Sequence, residues 1–548
     1  KCDKINYNCW RFSKMSLKVL PLLLVLLLLK SAQGQIKFTI SGYIFEKGSK
    51  ENLPGVMVYV PKLNVGTTSN NYGFYSITLP IDSVEVIFSF VGFKAKRQKF
   101  YLDKNISFNV EMGAEELTEV TITAVQSGKI SEETQMSTIE IPIEQIKQIP
   151  ALMGEKDVFK VIQLMPGVQK GSEGNSGIYV RGGGPDQNLI ILDEAPVYNA
   201  NHLFGFFSVF NGDALKSVEL IKGGFPSRYG GRLSSVIDLQ MKDGNKEIIQ
   251  GEAGIGIISS RFTLEGPIIK NKCSFLVSAR RTYIDALIYP LLPQNRKFGY
   301  YFYDMNAKVN YILNDKDRLF LSGYFGKDKF YLKEKSIDSE VKGGLDWGNA
   351  TSTLRWNHLF SNRLFSNLSL IFTKYQFRIK MQEKYGSDYY NLKYISNIRD
   401  FGAKYNFDFM PHPNHYIKFG VNSTWHHFVP QAVVTRSSDP SDELNNKSTK
   451  IDTYEGAIFM EDDWKITSKL KMNVGLRLSA FSSYGNYFIN PEPRASLRYL
   501  LGNDYSLKGS YSLMNQYLHL LSNTGIGLPT DLWVPATNNI KPQQSQQV

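Results

Sequence analysis

Long runs of alternating apolar and polar residues after Asn245 constrain this chain more than any other feature of its sequence. In the clearest run the apolar positions are Leu470, Met472, Val474, Leu476, Leu478 and Ala480. Apolar residues at a period of two predict a β-strand with one apolar and one polar face. A soluble β-sandwich would produce part of this pattern, so strand length and the connections between strands have to distinguish it from a membrane barrel.

The predicted connections alternate between short and long. Short turns are expected at residues 270–272, 314–317, 361–363, 411–414, 466–469 and 502–504, and long loops at residues 281–297, 326–342, 380–397 and 430–450. Short turns on one side and long loops on the other are typical of outer-membrane barrels, whose strands need about 9 to 11 residues to cross the bilayer. We therefore expect residues 247–548 to form an antiparallel transmembrane β-barrel.

The predicted number of strands is odd. Counting from Ile248 gives about thirteen strands, the last at residues 505–513, with a long loop over residues 515–547. Bacterial single-chain barrels have even strand numbers, and an open edge would leave backbone groups unpaired in lipid. We therefore expect the C-terminal part of the barrel to be missing from this sequence.

The N-terminal residues resemble an export signal. Met15 is the first methionine, Lys18 precedes an apolar run over residues 19–29, and small residues follow up to Gly34. This is the order of a secretory signal peptide, and the run is too short to span a bilayer as a helix. Residues 1–34 are assigned to upstream residues and a signal peptide, with a long basic n-region as the alternative for the first 14.

Removing this leader changes the charge and the cysteine count. Six basic residues and one acidic residue lie in the first 34, so 63 basic and 51 acidic residues become 57 and 50, and the net charge falls from +12 to +7. Nucleic-acid binding is not implied. Of three cysteines only Cys273 remains, which excludes a disulfide scaffold and a cysteine-built zinc site.

Residues 35–113 alternate short β-prone runs with turn residues, and about seven strands predict a small antiparallel β-sandwich. The motifs Leu53-Pro54-Gly55-Val56, Gly66-Thr67-Thr68, Asn71-Tyr72-Gly73-Phe74-Tyr75 and Phe90-Val91-Gly92-Phe93 resemble the carboxypeptidase regulatory-like domain. The resemblance implies a folding or docking module without peptidase chemistry. The seven histidines include no His-Glu-x-x-His arrangement, which agrees with that implication.

Residues 114–135 form a polar linker with one β-prone island at residues 117–124. We interpret the island as a strand that joins a sheet edge of a partner, or as the last strand of the sandwich. Residues 136–246 mix a short helix at residues 157–164 with strands separated by glycine-rich turns. The run ending in Gly182-Gly183-Gly184 lacks the Gly-Lys-Ser/Thr end of a phosphate loop, so nucleotide binding is not expected.

Four ordered motifs in residues 136–246 carry the main resemblance. They are Tyr179-Val180-Arg181-Gly182-Gly183, residues 188–197, residues 218–224, and Ser227-Arg228-Tyr229-Gly230-Gly231 with residues 235–239. These motifs resemble the plug of TonB-dependent outer-membrane receptors, with Asp193-Glu194 where that family more often has Asp-Gly. The predicted fold is mainly β: an N-terminal β-sandwich, an α/β plug domain and an antiparallel transmembrane β-barrel.

The resemblance also implies site residues. It makes the island the TonB box, with TonB contacts at Leu117, Glu119, Val120, Thr121, Ile122 and Thr123. TonB, energised by its inner-membrane complex, would add to this strand through backbone hydrogen bonds, which Pro would interrupt. Arg181 and Arg228 stand where plug arginines of the family pair with barrel glutamates as a latch; alternatively, each arginine only bonds carbonyls within the plug.

Substrate selection is expected where the plug apex meets the long loops. The candidate substrate-binding residues are Tyr198, Asn199, Asn201, His202 and Phe204, whose amide, imidazole and aromatic groups suit a sugar, peptide or chelate. A structural turn is the alternative for this segment. The pairs His412 with His415 and His426 with His427 are interpreted as solvated or interfacial, and no metal or cofactor is expected.

The predicted function is import of a scarce substrate through the outer membrane by a TonB-driven plug. Siderophore, vitamin complex, oligosaccharide and peptide stay open as substrates, as does a lipoprotein lid as a further partner beside membrane lipid. The N-terminal domain is expected in the periplasm, and no catalytic chemistry is expected. The rivals are a surface-binding or adhesion barrel without import, and a secreted hydrolase, which the lack of an acid/base pair or metal triad disfavours.

Overall fold

A computed structural model describes residues 36–114, 134–143, 146, 155, 157–170, 177–202, 205–439, 441, 445–446, 450–502, 505–521 and 532–548. In chain order these residues form a β-sandwich, an α/β plug and a large antiparallel sheet that surrounds the plug, which confirms the predicted fold class. None of the helices within these ranges has the length and apolar character needed to cross a bilayer.

The sandwich consists of two four-stranded sheets. Its strands are β1 (Lys37–Glu46), β2 (Met57–Val60), β3 (Val65–Thr68), β4 (Phe74–Pro80), β5 (Ser83–Ser89), β6 (Lys96–Tyr101), β7 (Ile106–Ser107) and β8 (Val110–Met112). Alternate positions such as Val84, Val86 and Phe88 are buried between the sheets. The prediction of an antiparallel sandwich is wrong for two strands, because the chain returns from β6 in one sheet to the other and places β7 and β8 parallel to β1.

The plug is built on a five-stranded sheet in the order β13-β12-β17-β16-β9. Its elements are β9 (Thr138–Pro142), α1 (Val158–Gln163), β10 (Val168–Lys170), β11 (Ile178–Val180), β12 (Asn188–Leu192), β13 (Ala195–Pro196), β14 (Asn201–His202), β15 (Phe207–Ser208), β16 (Leu215–Lys222) and β17 (Ser235–Met241). The Asp157 carboxylate accepts from the backbone N–H groups of Phe159 and Lys160 and so starts α1. Gly167, at φ +78°, allows the turn after the helix.

The large sheet contains fifteen strands. They are β18 (Gln250–Ile255), β19 (Ser259–Ile269), β20 (Cys273–Thr282), β21 (Arg296–Ile312), β22 (Asp317–Lys335), β23 (Ser339–Ser361), β24 (Leu364–Tyr385), β25 (Asp388–His412), β26 (His415–Ser437), β27 (Asn445–Asn446), β28 (Ile451–Lys465), β29 (Leu470–Ser483), β30 (Asn486–Leu500), β31 (Ser506–Gln516) and, after a separate hairpin of β32 (Leu518–Leu521) and β33 (Leu532–Pro535), β34 (Gln543–Gln547). Helix α2 (Ile284–Ile288) connects β20 to β21.

The predicted count of thirteen strands is wrong. Residues 543–547 form β34, which pairs with β31, so the sheet path has fourteen strands with β27 paired beside β26. Sequence reasoning missed β34 because its five residues, Gln-Gln-Ser-Gln-Gln, carry no apolar alternation. Among the described residues, β18 and β34 are the two edges of this sheet and do not pair with each other.

The two faces of the large sheet distinguish it from a soluble sandwich. On β29 the apolar Leu476 and Leu478 are 53% and 39% exposed, whereas Arg477 between them is 4% exposed. Polar side chains therefore point inward to the plug and apolar side chains outward, the reverse of a soluble protein. This inversion is the pattern of a barrel whose outer surface faces lipid.

Two of the four predicted long loops are tall hairpins. Strands β22 to β25 extend so far that residues 336–338 and 386–387 alone remain as connections at two of these sites. Strand β24 has 22 residues, or about 70 Å at about 3.3 Å per residue, more than a bilayer core of about 30 Å requires. The prediction of long loops at residues 326–342 and 380–397 is wrong because the strand pairing continues beyond the membrane.

The sandwich lies against the short-turn end of the barrel. Phe74 stacks on Phe365 of β24 with ring centroids 5.5 Å apart, and both side chains are buried. The guanidinium of Arg318 lies 3.3 Å from the ring centroid of Tyr43 and donates to Asn52 at 2.8 Å. An apolar contact and a buried cation on an aromatic ring thus hold the sandwich to the barrel.

We predict that Arg318→Ala loosens the sandwich from the barrel. The substitution removes the cation from the Tyr43 ring and a charged hydrogen bond, together on the order of 2 to 4 kcal/mol. Hydrogen exchange of β4 and of residues 361–363 should accelerate. Lys62→Ala, which removes an exposed pair with Asp82 within the sandwich, serves as the control and should leave exchange there unchanged. Equal exchange in both variants would contradict the role given to Arg318.

Candidate functional site at the plug and barrel interface

Residues 198–202, the predicted substrate-binding segment, lie against the inner wall of the barrel. Tyr198 meets the ring of Trp533 edge-on at a centroid distance of 4.9 Å, and its hydroxyl donates to Asp400 of β25. The backbone carbonyl of Asn199 accepts from the side-chain amide of Asn349 on β23 at 2.5 Å. This segment is therefore bonded to at least two barrel strands.

His202 is the most enclosed member of the segment, with 1% of its surface exposed. Its Nδ1 lies 2.6 Å from Asp328 Oδ2 and its Nε2 lies 2.8 Å from Asp304 Oδ1, while the ring stacks on Phe302 at 4.0 Å. Burial by itself lowers the pKa of His202, but the two carboxylates outweigh it and raise the pKa to about 9. The imidazole is therefore held as a cation between two carboxylates of β21 and β22.

Arg280 of β20 extends this buried ionic network. Its guanidinium lies 2.6 Å from Asp304 and 3.1 Å from Glu155, and it donates to the carbonyl of Ser208 at 2.8 Å. Glu155, Ser208 and His202 all belong to the plug, so the network joins three barrel strands to three positions of the plug. Buried charges are tolerated when each is paired and hydrogen-bonded, as they are here.

Four of the five predicted substrate-binding residues lie in the described part of the chain. Tyr198, Asn199, Asn201 and His202 are all brought together at the plug and barrel interface, and Phe204 lies outside the described residues. The side chains of Asn199 and His202 are buried against the barrel. Direct contact of this segment with a substrate stays a prediction.

Arg228 contacts a barrel glutamate, as the resemblance implied. Its Nη1 lies 2.6 Å from Glu461 Oε1, and the Arg228 backbone N–H and the Ser227 hydroxyl each donate to Glu461 Oε2 at 3.1 Å. Glu461 on β28 is 1% exposed. A carboxylate with three donors in a dry site is a strong but breakable attachment.

Arg181 does not form the corresponding pair within the described residues. Its guanidinium donates to the hydroxyl of Ser137 and lies beside Gly223, both within the plug. The expected barrel glutamate partner is therefore not found for Arg181. The turn at residues 181–183 points this side chain along the plug surface, which the motif alone could not reveal.

Barrel cations make attachments that sequence reasoning missed. Arg494 Nη1 on β30 lies 3.1, 2.7 and 2.7 Å from the carbonyl oxygens of Phe225, Pro226 and Tyr229, and Nη2 lies 2.6 Å from Glu492. Lys308 on β21 lies 3.2 Å from Asp193. Both cations occupy inward positions of alternating strands, so periodicity could have marked them as lumenal, although not as partners of particular plug groups.

One contact joins all three parts of the molecule. The Tyr72 hydroxyl of the sandwich donates to Glu194 Oε1 of the plug at 2.7 Å, and Asn367 of β24 donates to the same oxygen at 2.8 Å. Arg355 of β23 lies 3.5 Å from that oxygen. Burial raises the pKa of Glu194, but Arg355 and Lys404 outweigh it and leave the pKa below its usual value. Glu194 is therefore held ionised.

The remaining candidates are the predicted TonB contacts and the histidine pairs. The predicted TonB contacts at residues 117–123 lie outside the described residues. His415 pairs with Asp462 at 2.7 Å, and buried His426 pairs with Asp400 at 2.8 Å. In the part of the chain that the structure describes, no group of three or more His, Cys, Asp or Glu residues is arranged to hold a metal ion.

Three family models match the chain in the order of these parts. They are the CarboxypepD_reg-like domain at residues 40–122, the TonB-dependent receptor plug domain at residues 131–236, and the TonB-dependent receptor-like β-barrel at residues 279–548. The chain belongs to the TonB-dependent receptor family, whose barrels lie in the outer membrane.

Individual relatives are distant. A probable TonB-dependent siderophore receptor, PirA of Acinetobacter baumannii, is 21% identical over 484 residues, which cover 73% of this chain and 62% of that protein. The crystal structure of that species' PirA matches with a TM-score of 0.53 at 18% identity, covering 75% of this chain and 67% of the other. A mutant form of the ferric enterobactin receptor PfeA of Pseudomonas aeruginosa matches with a TM-score of 0.52 at 18% identity, covering 76% of this chain and 69% of the other. The chain thus spans about three fifths of the curated relative's length.

We predict that alkaline pH weakens the attachment of the plug through His202. The pKa of His202 in the folded protein, about 9, exceeds its ordinary value of 6.5. The stabilisation from the charged imidazole is therefore complete below about pH 6.5 and is lost as pH rises through about 9. The shift corresponds to roughly 3 kcal/mol. Urea release of the plug, followed by limited proteolysis, should occur at lower urea at pH 9.5 than at pH 6.5.

His202→Asn supplies the comparison for this pH effect. Asparagine keeps hydrogen-bonding capacity but cannot carry the charge that pairs with Asp304 and Asp328. The variant should release its plug more easily at pH 6.5 and show a smaller change between the two pH values. A wild-type profile that is flat across this range, or identical to that of the variant, would contradict a cationic His202.

Proposed function

We propose that this chain is the receptor of an energised importer, which binds a small-molecule substrate from outside and admits it when TonB rearranges the plug. The observation that carries this proposal is the polar attachment of the plug. Arg228, His202 and Arg494 all join plug and barrel through ionic or charged hydrogen bonds. Such contacts hold firmly when dry and exchange for water when strained, whereas an apolar core would not.

The route of force follows from the order of the chain. The predicted TonB box at residues 117–124 precedes β9, and β9 is an edge strand of the plug sheet, paired with β16 alone among the described strands. A pull on the linker would therefore load β9 before any inner strand. We propose that the peeling of β9 from β16 is the first step of plug rearrangement, with Arg228 and Glu461 as part of the latch.

The contact between Tyr72 and Glu194 supports a role for the sandwich in the same step. Since Glu194 also accepts from Asn367 of the barrel, displacing the sandwich would leave a buried carboxylate with fewer donors. We propose that the sandwich faces the periplasm and closes the barrel at its short-turn end in the resting state. Residues 198–202 of the plug are bonded to the barrel wall, so a movement of that wall would be passed to the rest of the plug through them.

A ferric siderophore is the first substrate class to test, because the relatives that match are siderophore and enterobactin receptors. Vitamin complexes, oligosaccharides and peptides follow as further candidates, and a lipoprotein lid stays open. A barrel that binds at the surface without import is the competing function. The requirement for the TonB box distinguishes the two.

We predict that Val120→Pro or Ile122→Pro abolishes uptake and leaves surface binding intact. Proline removes a backbone donor from the strand that TonB would extend. Val120→Thr, which keeps the backbone donor and β propensity, is the matched control and should retain uptake within about twofold. Cells carrying each variant are given labelled substrate, and bound and internalised label are measured. Unchanged uptake in both proline variants would favour the surface-binding function.

We predict that tethering the plug to the barrel also blocks uptake. Asn211 Nδ2 of the plug lies 2.8 Å from Ser278 Oγ on β20, so these two side chains meet across the interface, and Asn211→Cys with Ser278→Cys, in a background of Cys273→Ser, is the pair to oxidise to a disulfide. Oxidation should reduce uptake by at least about tenfold, and reductant should restore it.

A disulfide within the barrel provides the control for the tether. Thr263 and Ser278 are directly opposite on β19 and β20, with hydroxyl oxygens 2.8 Å apart. Thr263→Cys with Ser278→Cys therefore joins two strands that need not separate. This pair should leave uptake unaffected by oxidation. Full uptake with the oxidised plug tether would contradict plug rearrangement as the route of entry.

A further inference from the structure

A cavity of about 440 Å³ lies at the seam where the sandwich meets the barrel. The sandwich contributes most of its wall, Lys246 comes from the segment between β17 and β18, and Asn271 comes from the short turn between β19 and β20. We call this cavity the seam pocket. Its volume is in the range of small-molecule sites, about 300 to 1,000 Å³. The transport function proposed above makes no use of it.

Lys246 is fixed between the sandwich and the barrel. Its backbone N–H donates to the carbonyl of Ser49 at 2.8 Å, and its own carbonyl accepts from the backbone N–H of Asn271 at 3.0 Å. The ammonium donates to the carbonyl of Lys50 at 2.8 Å, and only 1% of the residue is exposed. Bonds on both sides thus place a buried cation at the wall of the seam pocket.

The ammonium of Lys246 has no close anionic partner. Among the described residues no carboxylate lies within 4.0 Å of it, and Asp243 is itself paired with Lys308 at 3.0 Å. Burial lowers the pKa of Lys246 to about 8, although Asp243 and Glu51 raise it from a greater distance. A buried charge without a paired partner is costly. An anion in the seam pocket would supply that partner.

The other polar groups of the wall are mainly donors. Lys96 Nζ donates to the carbonyl of Glu111 at 3.4 Å, and in the described part of the chain it too has no carboxylate within 4.0 Å. Asn109 Oδ1 accepts from the backbone N–H of Tyr43 at 2.8 Å, so the part of this amide that remains is its NH₂ donor group. The wall therefore favours a ligand rich in acceptors.

The charges around the seam pocket favour a ligand with a single negative charge. Lys50 lies 3.5 Å from Glu111 and 3.6 Å from Glu247. Lys50, Lys96 and Lys246 carry three positive charges and these two glutamates carry two negative charges, so one positive charge is left. A carboxylate balances that charge, whereas a phosphate dianion would leave an excess of negative charge.

We propose that the seam pocket binds a small organic carboxylate. Lys96 and Lys246 hold the carboxylate by charge-assisted hydrogen bonds, and its apolar part lies against Phe45 and Phe108. Because the ligand contacts the sandwich through Lys96 and the plug-to-barrel segment through Lys246, it ties these two parts together. The position of the pocket on the periplasmic side rests on the orientation proposed above, but binding itself does not depend on transport.

The test uses the full chain in detergent micelles with para-fluorobenzoate as the probe, and its binding is measured by fluorine NMR. The uncharged analogue para-fluorobenzamide has the same ring and should bind at least about tenfold more weakly, because it offers no charge to the two lysines. Inorganic phosphate at equal concentration should leave most of the probe bound.

Lys96→Gln and Lys99→Gln form a matched pair of variants. Both remove one lysine charge from β6, but Lys99 is exposed and does not line the pocket. Lys96→Gln should weaken binding of the probe at least about fivefold, and Lys99→Gln should leave it within about twofold. Arg318→Ala, which loosens the sandwich from the barrel, should also weaken binding, because the two sides of the pocket then separate.

Acetylation with acetic anhydride locates the probe without any substitution. In wild-type protein saturated with para-fluorobenzoate, Lys96 should be protected from acetylation, as measured by mass spectrometry. Lys99 should react equally with and without the probe. This comparison keeps the proposal testable even if a variant fails to fold.

Four results would overturn the proposal. The first is no detectable binding of para-fluorobenzoate to wild-type protein, and the second is equal binding of the benzoate and the benzamide. The third is equal binding by wild type and Lys96→Gln without protection of Lys96. The fourth is complete displacement of the probe by inorganic phosphate at equal concentration, which would show a phosphate site instead.

Discussion

The rest of this structure depends on one constraint, the exposure of the barrel's outer surface to lipid. Apolar residues such as Leu476 must face outward, so the alternate positions of every strand turn polar and charged side chains toward the lumen. Those side chains, Arg477 and Arg494 among them, would be costly to bury without partners. The plug supplies these partners, and its carbonyls, carboxylates and His202 are matched to the inner wall.

The same constraint determines how the plug is held. A plug held by apolar packing would lose a large buried area when it moved, whereas ionic pairs can exchange a protein partner for water. Glu461 accepts from both the side chain and the backbone of Arg228, and from Ser227, at one point of the plug. These directional contacts fix the plug at one point of the barrel wall, beside apolar contacts such as that of Phe207 with Phe302.

The sandwich and the tall hairpins occupy opposite ends of the barrel. Tyr72 connects the sandwich to the plug through Glu194, at the end where the strands are joined by short turns. At the other end β24 and β25, with 22 and 25 residues, are longer than a bilayer crossing requires and extend above the membrane. One end of the barrel therefore contacts the N-terminal sandwich, and the other projects beyond the membrane.

The sequence by itself determined the strands, the plug helix after Asp157 and the order of the three parts, because period-two patterns, caps and turn residues act within a few residues of each other. It also indicated that Arg228 meets a barrel glutamate. Only the tertiary structure decided that Glu461 is that partner, that Arg181 stays within the plug, and that His202 is enclosed by Asp304 and Asp328. The pairs between plug and barrel join residues more than 100 positions apart, and no local pattern encodes which barrel residue meets a given plug residue. Strand β34 was missed for a related reason, since its five polar residues become a strand only beside β31.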